Sequence, residues 1–316
     1  MTTVCYHVQS HTNPQQVVRL AKRIKQMSPR SWVIVSHDNR RPALDVAALE
    51  RLDRVVVWSE PGGYADYRQI ERYLHAVRWL RANGIRYDWF VNLSGQDYPA
   101  QHLTRVERSL SEARVHGYLE HFPVLSSQSP WGLRRGRDRY LYKYRRGSMI
   151  PAGWRRELVR SLSVLNRMQS YFRINASMAA VGTRMRAPLS SPLWGGGFWC
   201  TLSRECVEYA ADIELERPEL ADYMRQVLVP EELFLQTVLV NSGRFLLDAD
   251  SKRFVDFSAT RDNHPRTLDE QDVPAIIESG AHFARKFDDR VHPLALDLID
   301  GYLDSQADED GRMPSI

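Results

Sequence analysis

Through the first hundred residues, short apolar runs alternate with longer stretches in which apolar residues recur every three or four positions. VCYHV (4–8), SWVIVSH (31–37) and VVVW (55–58) read as strands, and WFVNLSGQDYP (89–99) reads as a buried strand running into a polar loop. After the first strand, Asn13 is placed to cap a helix with Pro14 in its first turn, and Val17, Leu20, Ala21 and Ile24 keep helical spacing up to Lys25. A second helical face over 67–81 is made by Ile70, Leu74, Val77, Trp79 and Leu80. Strand, helix and strand in this order predict parallel βαβ units. In open sheets of this kind, ligands bind beyond the carboxyl ends of the strands. The loops at His11, Asp38 and Gln96-Asp97 therefore belong to one rim, although His11 and Asp38 fit turn and capping roles equally well.

The second half is less regular. Residues 134–186 hold thirteen arginines and one lysine against two acids, Asp138 and Glu157. Trp154, Leu158, Leu162, Leu165, Met168 and Phe172 are spaced as one helical face, with Arg155, Arg156, Arg160 and Arg167 on the other. Such a helix is either a solvated basic face over a core stripe or a docking surface for a membrane or an anionic acceptor. A glycine run (WGGGFW, 194–199) precedes a strand and a helix ending near Ala211, and a further helix begins at Pro230-Glu231-Glu232. The stretch 304–316, DSQADEDGRMPSI, reads as a loose acidic tail. The expected organisation is one domain over 4–303, with a first half at 4–125, a basic helical insertion at 126–190 and a second half at 191–303.

At 316 residues, with 43% hydrophobic and 26% charged residues, the chain can bury a sizeable core. No apolar run approaches the roughly 20 residues that span a bilayer, and MTTVCYHVQSHTNPQ has no secretory-signal pattern. A cytoplasmic protein is expected, with a peripheral position at the inner membrane surface open through the basic helix. Cys5, Cys200 and Cys206 show no CxxC spacing, so they are expected to be buried and inert.

P-loop, GxGxxG, GxSxG and HExxH signatures are absent. One DxD, Asp248-Ala249-Asp250, sits in an expected turn between LL and RFV strands, and three residues with two acids arise easily by chance. The more specific signal is a set of ordered blocks: NLSGQDYP (92–99), LEHFP (119–123), GGFWCTLSRECVEY (196–209), VPEELFLQTVLVNS (229–242) and HFARKFD (282–288). Over residues 4–300 this order resembles glycosyltransferase family 14, which contains the core-2 and I-branching N-acetylglucosaminyltransferases and the peptide O-xylosyltransferases. The chain is similar to a soluble, bacterial-type member.

The resemblance implies a GT-A-like (Rossmann-like) mixed central sheet flanked by helices. It also implies a metal-independent, inverting transfer of a sugar, N-acetylglucosamine or xylose, from a UDP-sugar to an acceptor hydroxyl. Glu232 matches the general base, since inversion needs one carboxylate to take the acceptor proton; from spacing alone, Glu231 and Glu232 would be an acidic first helical turn. By the same resemblance Lys286, Arg285 and Arg266 stabilise the leaving diphosphate, while His11, Asp38 and Tyr67 face the base and ribose. Asp97 contacts the donor sugar or caps the following helix. Glu120, Trp199 or Trp194, and Phe257 face the acceptor: a glycan, a glycoconjugate or a small molecule. No cofactor beyond the UDP-sugar donor and no metal ligand are expected. Ala259 stands where the branching enzymes carry an acceptor aromatic, and no counterpart of their paired disulfides or membrane anchor is expected. An inactive nucleotide- or glycan-binding protein is the main alternative. Nucleic-acid binding through the basic segment, with Tyr140, Tyr142, Tyr144 and Trp154, is a weaker one and is not expected.

Overall fold

The structure, a computed structural model, describes residues 2–146, 161, 163–167, 170–175, 178, 180–188, 190–258 and 264–311. Four parallel strands, β1 (Val4–Ser10), β2 (Trp32–Asp38), β3 (Val55–Glu60) and β4 (Trp89–Ser94), lie in the order β4-β1-β2-β3. They are joined by α1 (Pro14–Met27), α2 (Val46–Glu50) and α3 (Arg68–Ala82). Beyond β4 the seven-stranded sheet turns mixed. Thr201–Ser203 runs antiparallel to β4, Gly117–Tyr118 runs antiparallel to that strand, and Leu247–Asp248 closes the edge parallel to Gly117–Tyr118. The mixed α/β architecture expected from the sequence is thus present.

Side chains alternate across the pleat, so β1 feeds two cores. Val4, Tyr6 and Val8 pack with Val17, Leu20 and Ile24 of α1, while Cys5 lies on the opposite face with Leu74 and Val77 of α3 and Phe90 of β4. All three cysteines are free and buried, and burial pushes the thiols of Cys200 and Cys206 up to about 12. The Asn13 side chain accepts from the backbone of Gln16 and starts α1, which runs two residues beyond the expected end.

The chain after β4 departs from a simple loop. Residues 97–99 form a separate strand, β5 (Asp97–Pro99), which pairs antiparallel with Phe283–Arg285, itself parallel to Arg253–Val255. This small sheet stands at the carboxyl end of β4. It brings a segment from the far end of the sequence, 283–286, onto the rim.

Two expectations fail here. The stretch 304–311 is not a loose tail: the last helix runs Pro293–Gly311. Leu296, Ile299 and Leu303 are buried, while Arg19 reaches Asp297 at 2.6 Å and Arg23 reaches Asp304 at 2.8 Å. Asp304, the first acid of that stretch, is thus a counter-ion for α1. Nor are the described parts of 126–190 wholly helical, while most of the helical face expected at 154–172 lies outside the described residues. After α4 (Leu103–Ser111) they comprise a short helix at Leu133–Tyr140, a 3-10 turn at Ser163–Arg167, and an antiparallel sheet in which Ala180–Arg184 is flanked by Tyr142–Arg146 and Phe172–Asn175. Phe172 opens a strand and is exposed, as is Leu165. Tyr142 and Tyr144 are buried between exposed Lys143 and Arg145, a period of two rather than 3.6. Trp154, Leu158, Leu162, Met168, Arg155, Arg156 and Arg160 lie outside the described residues.

Candidate functional site

The ends of β1, β2 and β4 do share a rim, because parallel pairing aligns Ser10 with His37 and Gln9 with Ser94. His37 Nδ1 lies 2.9 Å from the Ser10 hydroxyl and its Nε2 lies 2.8 Å from the Pro42 carbonyl, so Nε2 carries the proton. Asp38 is buried. One of its oxygens accepts from the Gly62 amide at 3.0 Å, and Arg40 forks onto both oxygens at 3.0 Å. These hydrogen bonds, Arg40's first, hold its carboxyl well below the usual range. Position 62 must be glycine, since a Cβ there would lie 2.4 Å from the Asp38 carboxyl carbon. His11, just past the end of β1, is exposed at the rim, yet partial desolvation followed by the charges of Arg41, Lys286 and Arg72 lowers its proton affinity. Its ring is neutral at physiological pH.

Opposite His11 stand Arg285 and Lys286. The β5 register sets Arg285 directly across from Asp97, whose carboxylate lies 3.3 Å from the guanidinium Nε. Asp97 is fully buried and accepts from the Ser94 amide at 3.0 Å and the Ser94 hydroxyl at 2.6 Å. It therefore neither caps α4, where His102 takes that role, nor reaches outward to a sugar. Its role is to orient Arg285. That guanidinium lies on the Trp199 ring, 4.5 Å from its centroid, and its Nε has no hydrogen bond. Lys286 is half-buried and has no ion pair among the described residues; burial, then Arg285, lowers its pKa. Two desolvated cations thus share one buried carboxylate, an arrangement that favours an anion.

Glu231 and Glu232 occupy a 3-10 turn, Pro230–Glu232, ahead of the helix Phe234–Ser242. The two carboxyls have opposite surroundings. Glu231 is 7% exposed, receives one hydrogen bond from Gln69 at 3.0 Å, and leaves its other oxygen unpartnered. Burial, reinforced by the charge on Glu232, pushes its pKa up to about 8, so it is neutral at pH 7. Glu232 has one third of its side chain exposed and pairs with Arg139 at 2.6 Å. Its negative charge is also felt by Arg285. The pair thus divides into a buried, protonated Glu231 and a partly open Glu232 held by a salt bridge.

Other candidates fall elsewhere. The Tyr67 hydroxyl is spent on Glu214 at 2.7 Å, which in turn pairs with Arg78 at 2.5 Å, so Tyr67 is a packing residue and not a nucleotide contact. Arg266 is held by Asp256 at 2.5 Å and by Asp272, and its charge is already neutralised. Glu120 is exposed and accepts from the Gly197 amide at 2.7 Å. The glycine run makes this approach possible, because a Cβ at Gly196 would lie 1.9 Å from the Glu120 carbonyl oxygen. Trp199 serves as a floor for Arg285, and the Trp194 indole donates to Asn241 at 3.1 Å. Phe257 is exposed beside residues 259–263, where Ala259 lies outside the described residues. In the DxD turn, Lys252 binds Asp250 at 2.7 Å and the Asp250 amide binds Asp248 at 2.9 Å, so one carboxylate already has a counter-ion. Among the described residues no group of three His, Cys, Asp or Glu is placed to hold a metal, and no helix is long and apolar enough to cross a membrane.

Sequence reasoning missed Arg139, Trp131 and Gln69. Arg139 was hidden within the basic run, and only its four-residue spacing from Arg135 on a short helix marks it out.

A family model for the Core-2/I-branching enzymes matches residues 20–279. Among curated proteins, Beta-glucuronosyltransferase GlcAT14A of Arabidopsis thaliana is 27% identical over 245 residues, covering 76% of this chain and 48% of that one. Xylosyltransferase 2 of Rattus norvegicus is 24% identical over 273 residues, covering 79% of this chain and 27% of that one. The chain thus spans about half the length of the plant relative and about a quarter of the rat one. Among solved structures, a 4-diphosphocytidyl-2C-methyl-D-erythritol synthase aligns with 88% of this chain and 99% of its own at a TM-score of 0.38 and 9% identity. At that level the match adds nothing to the topology described above.

Proposed function

The chain belongs to the Core-2/I-branching enzyme family, and from that membership and the geometry around Glu232 we propose that it is a metal-independent, inverting glycosyltransferase acting on a UDP-sugar. The observation that carries this reading is the pairing of opposite chemistries across the rim. An accessible, salt-bridged carboxylate lies within the electrostatic reach of Arg285, and beside Arg285 stands Lys286, a half-buried cation with no counter-ion among the described residues.

In this reading Glu232 takes the proton from an acceptor hydroxyl as its oxygen attacks the anomeric carbon. The bond from that carbon to the diphosphate breaks on the opposite face, and a β-glycoside forms. Lys286 meets the negative charge that develops on the leaving UDP, and Arg285 adds its unspent donors, fixed in direction by Asp97 and Trp199. His11, neutral and at the end of β1, donates to or accepts from the nucleotide. Asp38 reaches it only by giving up part of the Arg40 fork. The neutral Glu231 leaves Glu232 as the single charge of the pair. The donor sugar is N-acetylglucosamine, xylose or glucuronic acid, the last two named in the relatives. The acceptor is a glycan or glycoconjugate. Three unpaired buried cysteines fit a reducing compartment, and we place the protein in the cytoplasm.

The test is release of UDP from each of the three UDP-sugars with a mixed glycan acceptor pool, in EDTA, by wild type and by Glu232→Gln. The expected result is turnover with one donor and a loss of about 10²- to 10⁴-fold in the variant, with UDP affinity unchanged. Full turnover in the variant would remove Glu232 from the base role.

A further inference from the structure

The base carboxylate is flanked by a second cationic corner that catalysis as described does not use. Arg135 and Arg139 lie four residues apart on the helix Leu133–Tyr140 and so share one face. Both guanidinium groups sit over the same indole, Trp131, with their central carbons 6.0 and 4.9 Å from its centroid. Trp131 is itself held edge-on by Phe122 at 4.7 Å and faces Gly195, where a Cβ would lie 2.7 Å from the indole. The platform is built in place.

The charges on this helix are unevenly matched. Asp138 answers Arg173 at 2.8 Å and Arg134 at 3.8 Å, and Glu232 answers Arg139 at 2.6 Å. Arg135 is half-buried and has no carboxylate partner among the described residues, although Glu232 is close enough to stabilise its charge. Burial and the neighbouring Arg139 both work against the charged form. Among the described residues one guanidinium without a salt bridge of its own therefore remains beside Glu232.

We propose that Arg135 is an acceptor subsite for the carboxylate of an acidic sugar, a uronate whose neighbouring hydroxyl is presented to Glu232. This rests on the reading of Glu232 as the base. A planar fork fits a carboxylate with two parallel hydrogen bonds. The charge balance also selects the anion. A carboxylate carries one negative charge and cancels Arg135, whereas a phosphate monoester would leave excess negative charge beside the Glu232–Arg139 salt bridge. Arg139 cannot make up the difference, because it is already paired.

The experiment is calorimetric titration of the full chain, saturated with UDP, with four probes: a methyl glucuronide disaccharide, its neutral glucoside analogue, glucose 6-phosphate and an acidic hexapeptide. The glucuronide should bind about tenfold more tightly than the neutral sugar, as expected for a charge-assisted hydrogen-bonded pair. Arg135→Gln should abolish that preference, Arg135→Lys should restore part of it, and neither should change UDP affinity, which also shows that both variants fold. Equal binding of glucuronide and glucoside, tighter binding of the phosphate or the peptide, or a preference that survives Arg135→Gln would overturn the assignment. Failure of UDP itself to bind would instead strike at the transferase reading, so the two failures are separable.

Discussion

Arg266 and Lys286 read alike in the sequence, as cations matched to a departing diphosphate, yet the fold treats them in opposite ways. Arg266 is enclosed by Asp256 and Asp272 and fastens the 256–258 loop to the turn at 270–272. Lys286 is half-buried without a counter-ion among the described residues, next to a second buried cation. The difference teaches that the function of a charge lies in what the fold leaves unpaired around it. A neutralised cation supplies local stability, and an unneutralised, partly desolvated one is poised for a ligand.

Substitutions can break this contrast. Lys286→Ala should weaken UDP binding by about 10- to 100-fold, the range for losing a hydrogen bond to a charged group, with little change in melting temperature. Arg266→Ala should do the reverse: UDP affinity unchanged, and a stability loss of about 1–3 kcal/mol, since its two carboxylates would keep backbone donors but lose their shared counter-ion. Titration calorimetry and thermal melts on both variants decide the matter, and a large affinity loss in Arg266→Ala would erase the distinction.

A smaller effect concerns the proton on Glu231. Its folded pKa is raised from about 4.5 to about 8. The native state therefore holds a proton that the unfolded chain releases across that window, and stability falls as pH rises from about 4.5 to about 8, then levels off. The drop should be on the order of a few kcal/mol. Glu231→Gln should flatten this part of the stability profile while leaving the acidic limb intact, and an unchanged slope in melts from pH 5 to 8 would show that Glu231 is ionised in the native state.

Much of the first half was legible because its physics is local. β1 to β4 and the helices between them follow from periodicity and from the Asn13-Pro14 cap, and parallel order then fixes the rim that carries His11 and Asp38. The meeting of Asp97 with Arg285 was not legible as a pairing, because the two are brought together by the register of β5 with a strand almost two hundred residues away. Long-range neutralisation misled the reading three times: Tyr67 is taken by Glu214, Arg266 by Asp256 and Asp272, and the acids of 304–311 belong to a helix whose Asp304 serves Arg23. In the basic segment the two-residue alternation of Tyr142 and Tyr144 was the signal for a strand, and the sheet formed where these aromatic residues bury against Leu228 and Val229.

The most direct measurement for the account as a whole is a calorimetric titration of the protein with UDP in EDTA, repeated with manganese in excess. The account predicts saturable binding at one site in EDTA, with an affinity that manganese leaves within about twofold, since Lys286 and Arg285 supply the positive charge. Binding that appears only with manganese would contradict it and transfer the diphosphate to a metal site.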